Sequence, residues 1–340
     1  MTPRDGIVLL GHGSGGAMSR DLLENVIIPA LHEDGAAQQM EDAARLTLPS
    51  GQLSFTTDSY VVDPIFFPGG DIGELAVNGT INDLAMSGAR PVALSVAFII
   101  EEGLAVDDLR RVARSAGRAA KAAGVAIVCG DTKVVPKGRG DKIYVNTSGV
   151  GLARGNVNVS AANARPGDVI LVNGTIGDHG VAIMSVREGL AFESPVKSDT
   201  AALHTLVDAL ADAGVELHEM RDPTRGGLAT VMVEIAQASG VAIRLDERQA
   251  PMDPAVAGAC EILGLDPLVV ANEGKMIAIV PGADADKALK AMRAHPLGVK
   301  AAVIGEVTGP SAKGKVTLTS MVGGERVISM LQGELLPRIC

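Results

Sequence analysis

Apolar runs and stretches of helical period alternate along the chain. Residues 7–10 form an apolar run before the glycine-rich Gly11-His12-Gly13-Ser14-Gly15-Gly16 and read as a strand. From 19 to 31, Leu22, Leu23, Val26, Ile27, Ala30 and Leu31 fall at helical spacing. Residues 45–67 read as β structure with a turn at Ser50-Gly51. A helix is predicted from Asp71. Asp71 and Glu74 make a capping-box-like start with Asp in place of the usual Ser or Thr. A strand over 91–100 and a helix over 107–123 follow, the helix stopped by Gly124. Its Arg110, Arg111, Arg114, Arg118 and Lys121 mark a solvated face. Strand 125–129 is expected to end at Gly130-Asp131-Thr132-Lys133, and strand 143–151 comes next.

The polar, small stretch 156–167 contains Pro166-Gly167 and predicts a domain boundary. The second half restarts with a strand over 169–172, then a helix after Gly177-Asp178-His179-Gly180. A helix near 201–213 precedes Arg221-Asp222-Pro223-Thr224-Arg225-Gly226-Gly227, which leads into a helix to 238. Strands are expected at 241–245, 275–280 and 301–307, with a helix over 284–294. Strands 316–320 and 325–330 should pair across Gly323-Gly324. Both halves mix strands and helices, so the class is α/β and α+β.

Composition narrows the function. With 340 residues, 47% of them hydrophobic, the chain can build two cores and is not disordered. No uninterrupted apolar run approaches the roughly 18 residues a membrane span needs. The first residues lack a secretory signal pattern. Three cysteines, an odd number, argue for a reducing cytoplasm without a disulfide framework. Cys129 and Cys260 lie in apolar surroundings and are expected in the core. A net charge of −10 and only 2% aromatics weigh against a nucleic-acid groove. The six histidines are scattered and read mostly as surface or capping residues. Neither they nor the cysteines have zinc-ligand spacing. The sequence also lacks the G-x-S-x-G elbow of a serine hydrolase and a Walker A loop.

Several residues are candidates for chemistry. Gly11, Gly13 and Gly16 satisfy G-x-G-x-x-G, and glycines there would let backbone N–H groups approach a phosphate. A dinucleotide fold would also want an acidic residue some 20 positions on. Glu33 and Asp34 are there, but both read as a helix end, and a hairpin-like segment follows instead of a second βαβ unit. Asp83 lies on a helix that is apolar nearly all round, so its carboxylate must be paired, hydrogen-bonded or holding a metal. Aspartates beside small residues recur at Asp58, Asp83, Asp131 and Asp222. Mg²⁺ takes hard carboxylate oxygens and shares them with substrate phosphates. Lys133 would serve as a phosphate-binding cation or simply be exposed. Glu273 sits in a polar island, Asn272-Glu273-Gly274-Lys275, where the residues alone favour an ordinary loop over a general base. Cys340 is either an unremarkable frayed terminus or a thiol on a mobile arm.

Taken in order, TTDSYVVDPIFFPGGDIGELAVNGTINDLAMSGARP, CGDTKVV, RDPTRGGLA, ANEGKM and the final PRIC resemble the HypE family of hydrogenase maturation proteins. The first and third blocks also resemble the wider superfamily of aminoimidazole ribonucleotide synthetase, selenophosphate synthetase and thiamine-monophosphate kinase. The resemblance implies a two-domain aminoimidazole ribonucleotide synthetase-like fold. Residues 1–155 would bind ATP and complete a β-barrel across a homodimer; 165–332 would form an α+β domain; 333–340 would be a mobile tail. It implies a cytoplasmic enzyme in which Cys340 is carbamoylated by the carbamoyltransferase HypF. ATP with Mg²⁺ then drives dehydration of the thiocarboxamide to a thiocyanate. The cyano group would pass to iron on the HypC–HypD scaffold, as a ligand of the [NiFe]-hydrogenase centre. Residues implied for nucleotide binding are Gly13, Ser14, Gly15, Asp58, Asn78, Asp83, Asp131, Thr132, Asp222 and Arg225. Asp58, Asp83, Asp131 and Asp222 would hold Mg²⁺, Lys133 would steady the phosphoryl group, and Glu273 would be the base. The terminal carboxylate would disfavour the Cys340 thiolate, with Arg338 as an opposing charge. Alternatives are a superfamily kinase or synthetase acting on a free small molecule, a nucleotide-binding carrier without catalysis, and a nicotinamide-dependent dehydrogenase built on the glycine loop.

Overall fold

A computed structural model describes residues 6–33, 43–189, 196–330 and 338–340. Asp34 and 333–337 of the tail lie outside the described residues. The chain opens without the expected strand: Ile7 makes only a single bridge to Ala105, and Leu10–Gly13 is a 3₁₀ turn. Four apolar residues beside a glycine run have too little partner edge to form a ladder. α1 (Gly16–Leu22) runs through one π turn at Leu23–Ile27 into α2 (Ile28–Leu31). Residues 45–50 form no strand; β1 begins later, at Leu53, and runs to Tyr60.

The short β2 (Phe66–Phe67) and β3 (Gly70–Asp71) pair and deliver the chain to α3 (Ile72–Met86). Asp71 caps α3, its carboxylate accepting from the N–H groups of Gly73 at 2.8 Å and Glu74 at 3.2 Å. Every α3 residue except Glu74 and Asp83 is buried. β4 (Ala89–Glu101), α4 (Val106–Ala122), β5 (Ala126–Val135) and β6 (Ile143–Ala153) complete the first sheet, in the order β1-β6-β4-β5. β4 and β5 are parallel, joined through α4; the other neighbours are antiparallel. α4 buries Leu109, Val112, Ala113, Ala116 and Ala120 and keeps its arginines outside. Arg114 and Arg118 pair with Glu33, and Arg111 stacks on Phe66 at 3.8 Å. The sheet's opposite side keeps Leu53, Phe55 and Ile99 exposed.

Two details of this half correct the sequence reading. β5 does not stop at Cys129 but runs on through Gly130-Asp131-Thr132-Lys133. Cys129 is exposed rather than in the core, because β5 is an edge strand.

The second half contains β7 (Asp168–Val172), α5 (Asp178–Arg187), α6 (His204–Asp212), β8 (Glu219–Arg221), α7 (Gly227–Ser239) and β9 (Val241–Asp246). α8 (Pro254–Leu263), β10 (Ile277–Pro281), α9 (Ala285–Ala294), β11 (Ala302–Pro310), β12 (Val316–Thr319) and β13 (Glu325–Ile328) follow. The sequence pattern predicts neither β8 nor α8. Seven strands form one sheet, β13-β12-β9-β11-β7-β10-β8, antiparallel except for β12 beside β9. The expected hairpin forms, pairing Thr319 with Glu325. Cys260 is buried, as expected.

Buried polar side chains stitch the halves together. Asn82 of α3 donates to the carbonyls of Ala201 (3.0 Å) and Glu273 (3.1 Å) and accepts from the Leu203 N–H (2.8 Å). Arg154, nearly inaccessible, bridges the Ala89 carbonyl (2.6 Å) and the Asp208 carboxylate (2.7 Å). Asn78 donates to Thr200 at 3.2 Å.

Candidate active site

Between the halves lies a cavity of about 810 Å³. β1 contributes Asp58 and Tyr60, and α3 contributes Gly79 and Asp83. The segment after β8 contributes Asp222 and Arg225, and the loop before β10 contributes Glu273. Cys340 reaches into the same space. Residues from five distant stretches of sequence therefore meet here, three of them aspartates.

Each aspartate is placed by its own element. β1 alternates exposed and half-buried side chains, which turns Asp58 inward; its carboxylate accepts from the Ser59 N–H at 2.7 Å. Thr56, also on the inward side, donates to Asp83 at 2.8 Å. Gly79 lets Tyr60 lie against α3: a Cβ there would stand 1.9 Å from the Tyr60 hydroxyl oxygen. Among the described residues, that hydroxyl and Oε1 of Glu273 are buried with no partner at good hydrogen-bonding geometry, their polar neighbours being Asp58 and Cys340.

Crowded, partly buried carboxyls oppose each other's ionisation. Burial, and then the charge of Asp83, pushes Asp222 up to about 7. Asp83 is raised by burial and by Asp58, with the Thr56 hydrogen bond opposing. Glu273 stands well above the ordinary carboxyl range, chiefly from burial and then from Asp199, Asp222 and Asp58. The Cys340 thiol is pushed well up by burial and by Glu273, with Arg225 opposing. Arg338 plays no such opposing part, because it turns away to Asp141 at 3.0 Å and toward Asp63 at 3.8 Å.

The remaining candidates lie elsewhere. Asp131 and Lys133 sit on the open edge of β5, paired with each other at 2.6 Å, and Lys133 holds the Asp131 carboxyl below its usual range. Asp131 and Thr132 line a separate cavity of about 780 Å³ between β5 and the α1–α2 region. Gly13 packs against Val134 of β5, and the Gly15 N–H is taken by the Ser19 hydroxyl at 2.8 Å. Ser14 is exposed, whereas Asn78 is buried in α3 beside Thr200.

The reading of the histidines as surface or capping residues holds for the caps His12 and His295 but misses His179 and His218. His12, His179 and His218 are buried rather than on the surface. His12 is a local cap, its Nδ1 accepting from the Leu9 N–H at 2.9 Å, whereas His179 and His218 reach partners far away in the chain, which no local period announces. Among the described residues, no three His, Cys, Asp or Glu side chains converge closely enough to hold an ion alone. The hard oxygens of Asp58, Asp83 and Asp222 around an open cavity suit a cation that completes its shell from water and phosphate, as Mg²⁺ does.

Known proteins resemble this chain along nearly its whole length. Residues 40–153 match the model of the AIR synthase related protein N-terminal domain, and 165–317 that of the AIR synthase related protein C-terminal domain. A carbamoyl dehydratase HypE from Azotobacter vinelandii is 50% identical over 337 residues, covering 99% of this chain and 98% of the relative. The crystal structure of a hydrogenase maturation protein HypE in complex with ATP superposes with a TM-score of 0.92. It is 49% identical, over 98% of this chain and 99% of its own. The chain in a HypE–HypF complex gives a TM-score of 0.79 at 47% identity, over 90% of this chain and 99% of its own. With half its residues identical across the full length of such relatives, the chain belongs to the HypE family of carbamoyl dehydratases, built from the two AIR synthase related domains.

Proposed function

We propose that this chain uses ATP to dehydrate a carbamoyl group carried on the Cys340 sulfur, turning a thiocarboxamide into a thiocyanate. The observation that carries the reading is the position of Cys340, whose thiol lies in the aspartate-lined cavity close enough to Glu273 to shift its ionisation. A thiocarboxamide oxygen is a poor leaving group, and phosphorylation makes it a good one. The oxygen takes the terminal phosphoryl group of ATP and ADP departs. The C–O bond then breaks, phosphate leaves, and C≡N forms. Of the two protons lost from nitrogen, one ends on phosphate and one on the base. Glu273 is the base in this reading, and its Oε1, without a well-formed hydrogen bond among the described residues, is the atom that takes the proton.

Asp58, Asp83 and Asp222 would hold Mg²⁺, which supplies charge neutralisation for the transferred phosphoryl group. Arg225 adds a cation at the same cavity. Tethering through Cys340 gives the thiocarboxamide a high effective concentration.

Asp131, Thr132 and Lys133 enter this scheme through a second copy. β1 and β5 are the two open edges of the first sheet, and that sheet leaves Leu53, Phe55 and Ile99 uncovered on one side. Joining β1 of one copy to β5 of another closes a barrel, buries that face and sets Asp58 near Asp131 and Lys133 of the second copy. Gly13, Ser14 and Gly15, packed beside β5, would meet the nucleotide from the same side. Asn78 supports the site through Thr200. Residues 1–155 form the ATP-binding, dimer-forming half in this reading, 165–332 the α+β half and 333–340 the tail. HypF supplies the carbamoyl group in the cytoplasm, and a HypC–HypD scaffold accepts the cyanide for the hydrogenase iron.

The test is mass spectrometry of the Cys340 peptide after the carbamoylated protein meets Mg·ATP. Loss of the mass of one water is expected, whereas an unchanged mass would make the chain a passive carrier. Turnover retained in Cys340→Ala would instead favour a kinase or synthetase acting on a free small molecule.

A further inference from the structure

The tail segment Arg338–Cys340 is held by its main chain. The Cys340 carbonyl accepts from the Val61 N–H and the Arg338 carbonyl from the Asp63 N–H, each at 3.2 Å. Arg187, at the end of α5, also donates to the Arg338 carbonyl and to that of Asp63. The remaining carbonyl, Ile339, lies 2.7 Å from Nε2 of His179, at the start of the same helix. His179 is fully buried, and the Ile339 side chain is 4% exposed in the adjoining core.

The hydrogen bonds fix the tautomer of this histidine. A carbonyl oxygen only accepts, so Nε2 must carry a proton and donate to Ile339. Nδ1 lies 2.8 Å from the Ser198 hydroxyl. Burial lowers the affinity of the ring for a second proton. In the neutral ring with its proton on Nε2, Nδ1 is bare and accepts from Ser198. The Ser198 oxygen in turn accepts from the Thr200 N–H at 3.2 Å, while the Ser198 N–H is tied to the Pro68 carbonyl at 2.8 Å. Phe67 meets the imidazole edge-on, with ring centres 5.6 Å apart. The next residue, Asp199, accepts from the Glu273 N–H at 3.1 Å and pairs with Lys275 at 2.9 Å. One loop thus sets both the histidine that holds the tail and the carboxylate that faces the thiol.

We infer that His179 is a positioning residue: oriented by Ser198, it latches the Ile339 carbonyl and so decides whether Cys340 stays in the cavity beside Glu273. This rests on Cys340 being the carrier, but its test needs neither carbamoylation nor ATP. The chain is treated with iodoacetamide in a Cys129→Ser background, since Cys129 is exposed. Alkylation of Cys340 is then timed by mass spectrometry of its peptide.

His179→Phe keeps a buried ring without the donor and should speed alkylation roughly 10- to 100-fold, the effect of losing one buried hydrogen bond. His179→Gln, which can offer an amide donor to the same carbonyl, should return the rate toward that of the parent. Ser198→Ala, which frees the ring without removing it, should give an intermediate rate, and it stands in if His179→Phe does not fold. Alkylation at the parental rate in folded His179→Phe, or in folded Ser198→Ala where the former fails, would overturn the latch. So would equal rates in the Phe and Gln variants. Those results would leave the dehydration chemistry to stand or fall on its own assay.

Discussion

The molecule carries acidic groups in two settings that treat them oppositely. On β5, Asp131 is exposed, paired with Lys133 and held below the usual carboxyl range. Between the halves, Asp58, Asp83 and Asp222 face one another and Glu273 around one cavity, and burial with mutual repulsion raises Asp83, Asp222 and Glu273. A surface pair of the first kind contributes little to stability, since water already solvates both charges. The second arrangement works against stability in the isolated chain, and such costs concentrate where chemistry is done. The contrast agrees with the proposal that the reaction takes place in the cleft and that β5 meets a second copy.

The strongest way to break the contrast is to remove the reacting groups. Cys340→Ala should abolish dehydration, and Glu273→Gln should slow it by about 10²–10⁴-fold, the usual contribution of a general base. Glu273→Gln is read by the mass of the Cys340 peptide, and Cys340→Ala by the phosphate released from ATP. Dehydration surviving in Glu273→Gln would place the proton acceptor elsewhere.

Packing in the cleft comes next. Gly79→Ala would drive a methyl group into the Tyr60 hydroxyl, costing about 1–3 kcal/mol on the scale of overpacked cores, measured by denaturant unfolding. An unchanged midpoint would mean that Tyr60 has room to move.

The repulsion itself has a pH signature. Asp222 has a folded-state value of about 7, above its unfolded one. Its contribution to stability is therefore full below the unfolded carboxyl value of about 4 and is lost as pH rises through about 7. Asp222→Asn should flatten that decline and raise the thermal midpoint at pH 8 by a few degrees, while lowering activity. A midpoint that falls at pH 8 would show that Asp222 stabilises the fold instead.

The smallest effect on stability is expected on β5. Lys133→Ala should alter unfolding by less than about 0.5 kcal/mol. In the same variant, dehydration should drop by at least tenfold if a second copy brings Lys133 to the cleft. Full activity would remove Lys133 from the reaction.

Much of the cleft could be read before any coordinates. α3 was legible because Asp71 is a strong cap and the apolar residues that follow leave few polar interruptions, of which Asp83 is one. What failed was context. Gly130 reads as the end of a strand, yet β5 runs on, pairing Gly130 with Val96 of β4; the glycine is there because a Cβ would stand 2.1 Å from the Val96 carbonyl oxygen. Nothing local says which strand lies at a sheet edge, so Cys129 was assigned to the core. His179 hid in a Gly-Asp-His-Gly turn pattern, its partners 19 and 160 residues away. Glu273 read as a loop residue, and it does lie in a loop. Its significance comes from what the fold brings against it.

The three hydrogen bonds of Asn82 say something about motion. This amide, buried in α3, grips the second half by two carbonyls and one N–H, one of those carbonyls belonging to Glu273 itself. Rocking one half against the other would break all three together and strand the amide away from water. The jaws of this molecule are thus pinned shut at the hinge. A relative motion of the halves would have to lose all three bonds at once, so the cleft that Cys340 enters keeps the geometry that Asn82 sets.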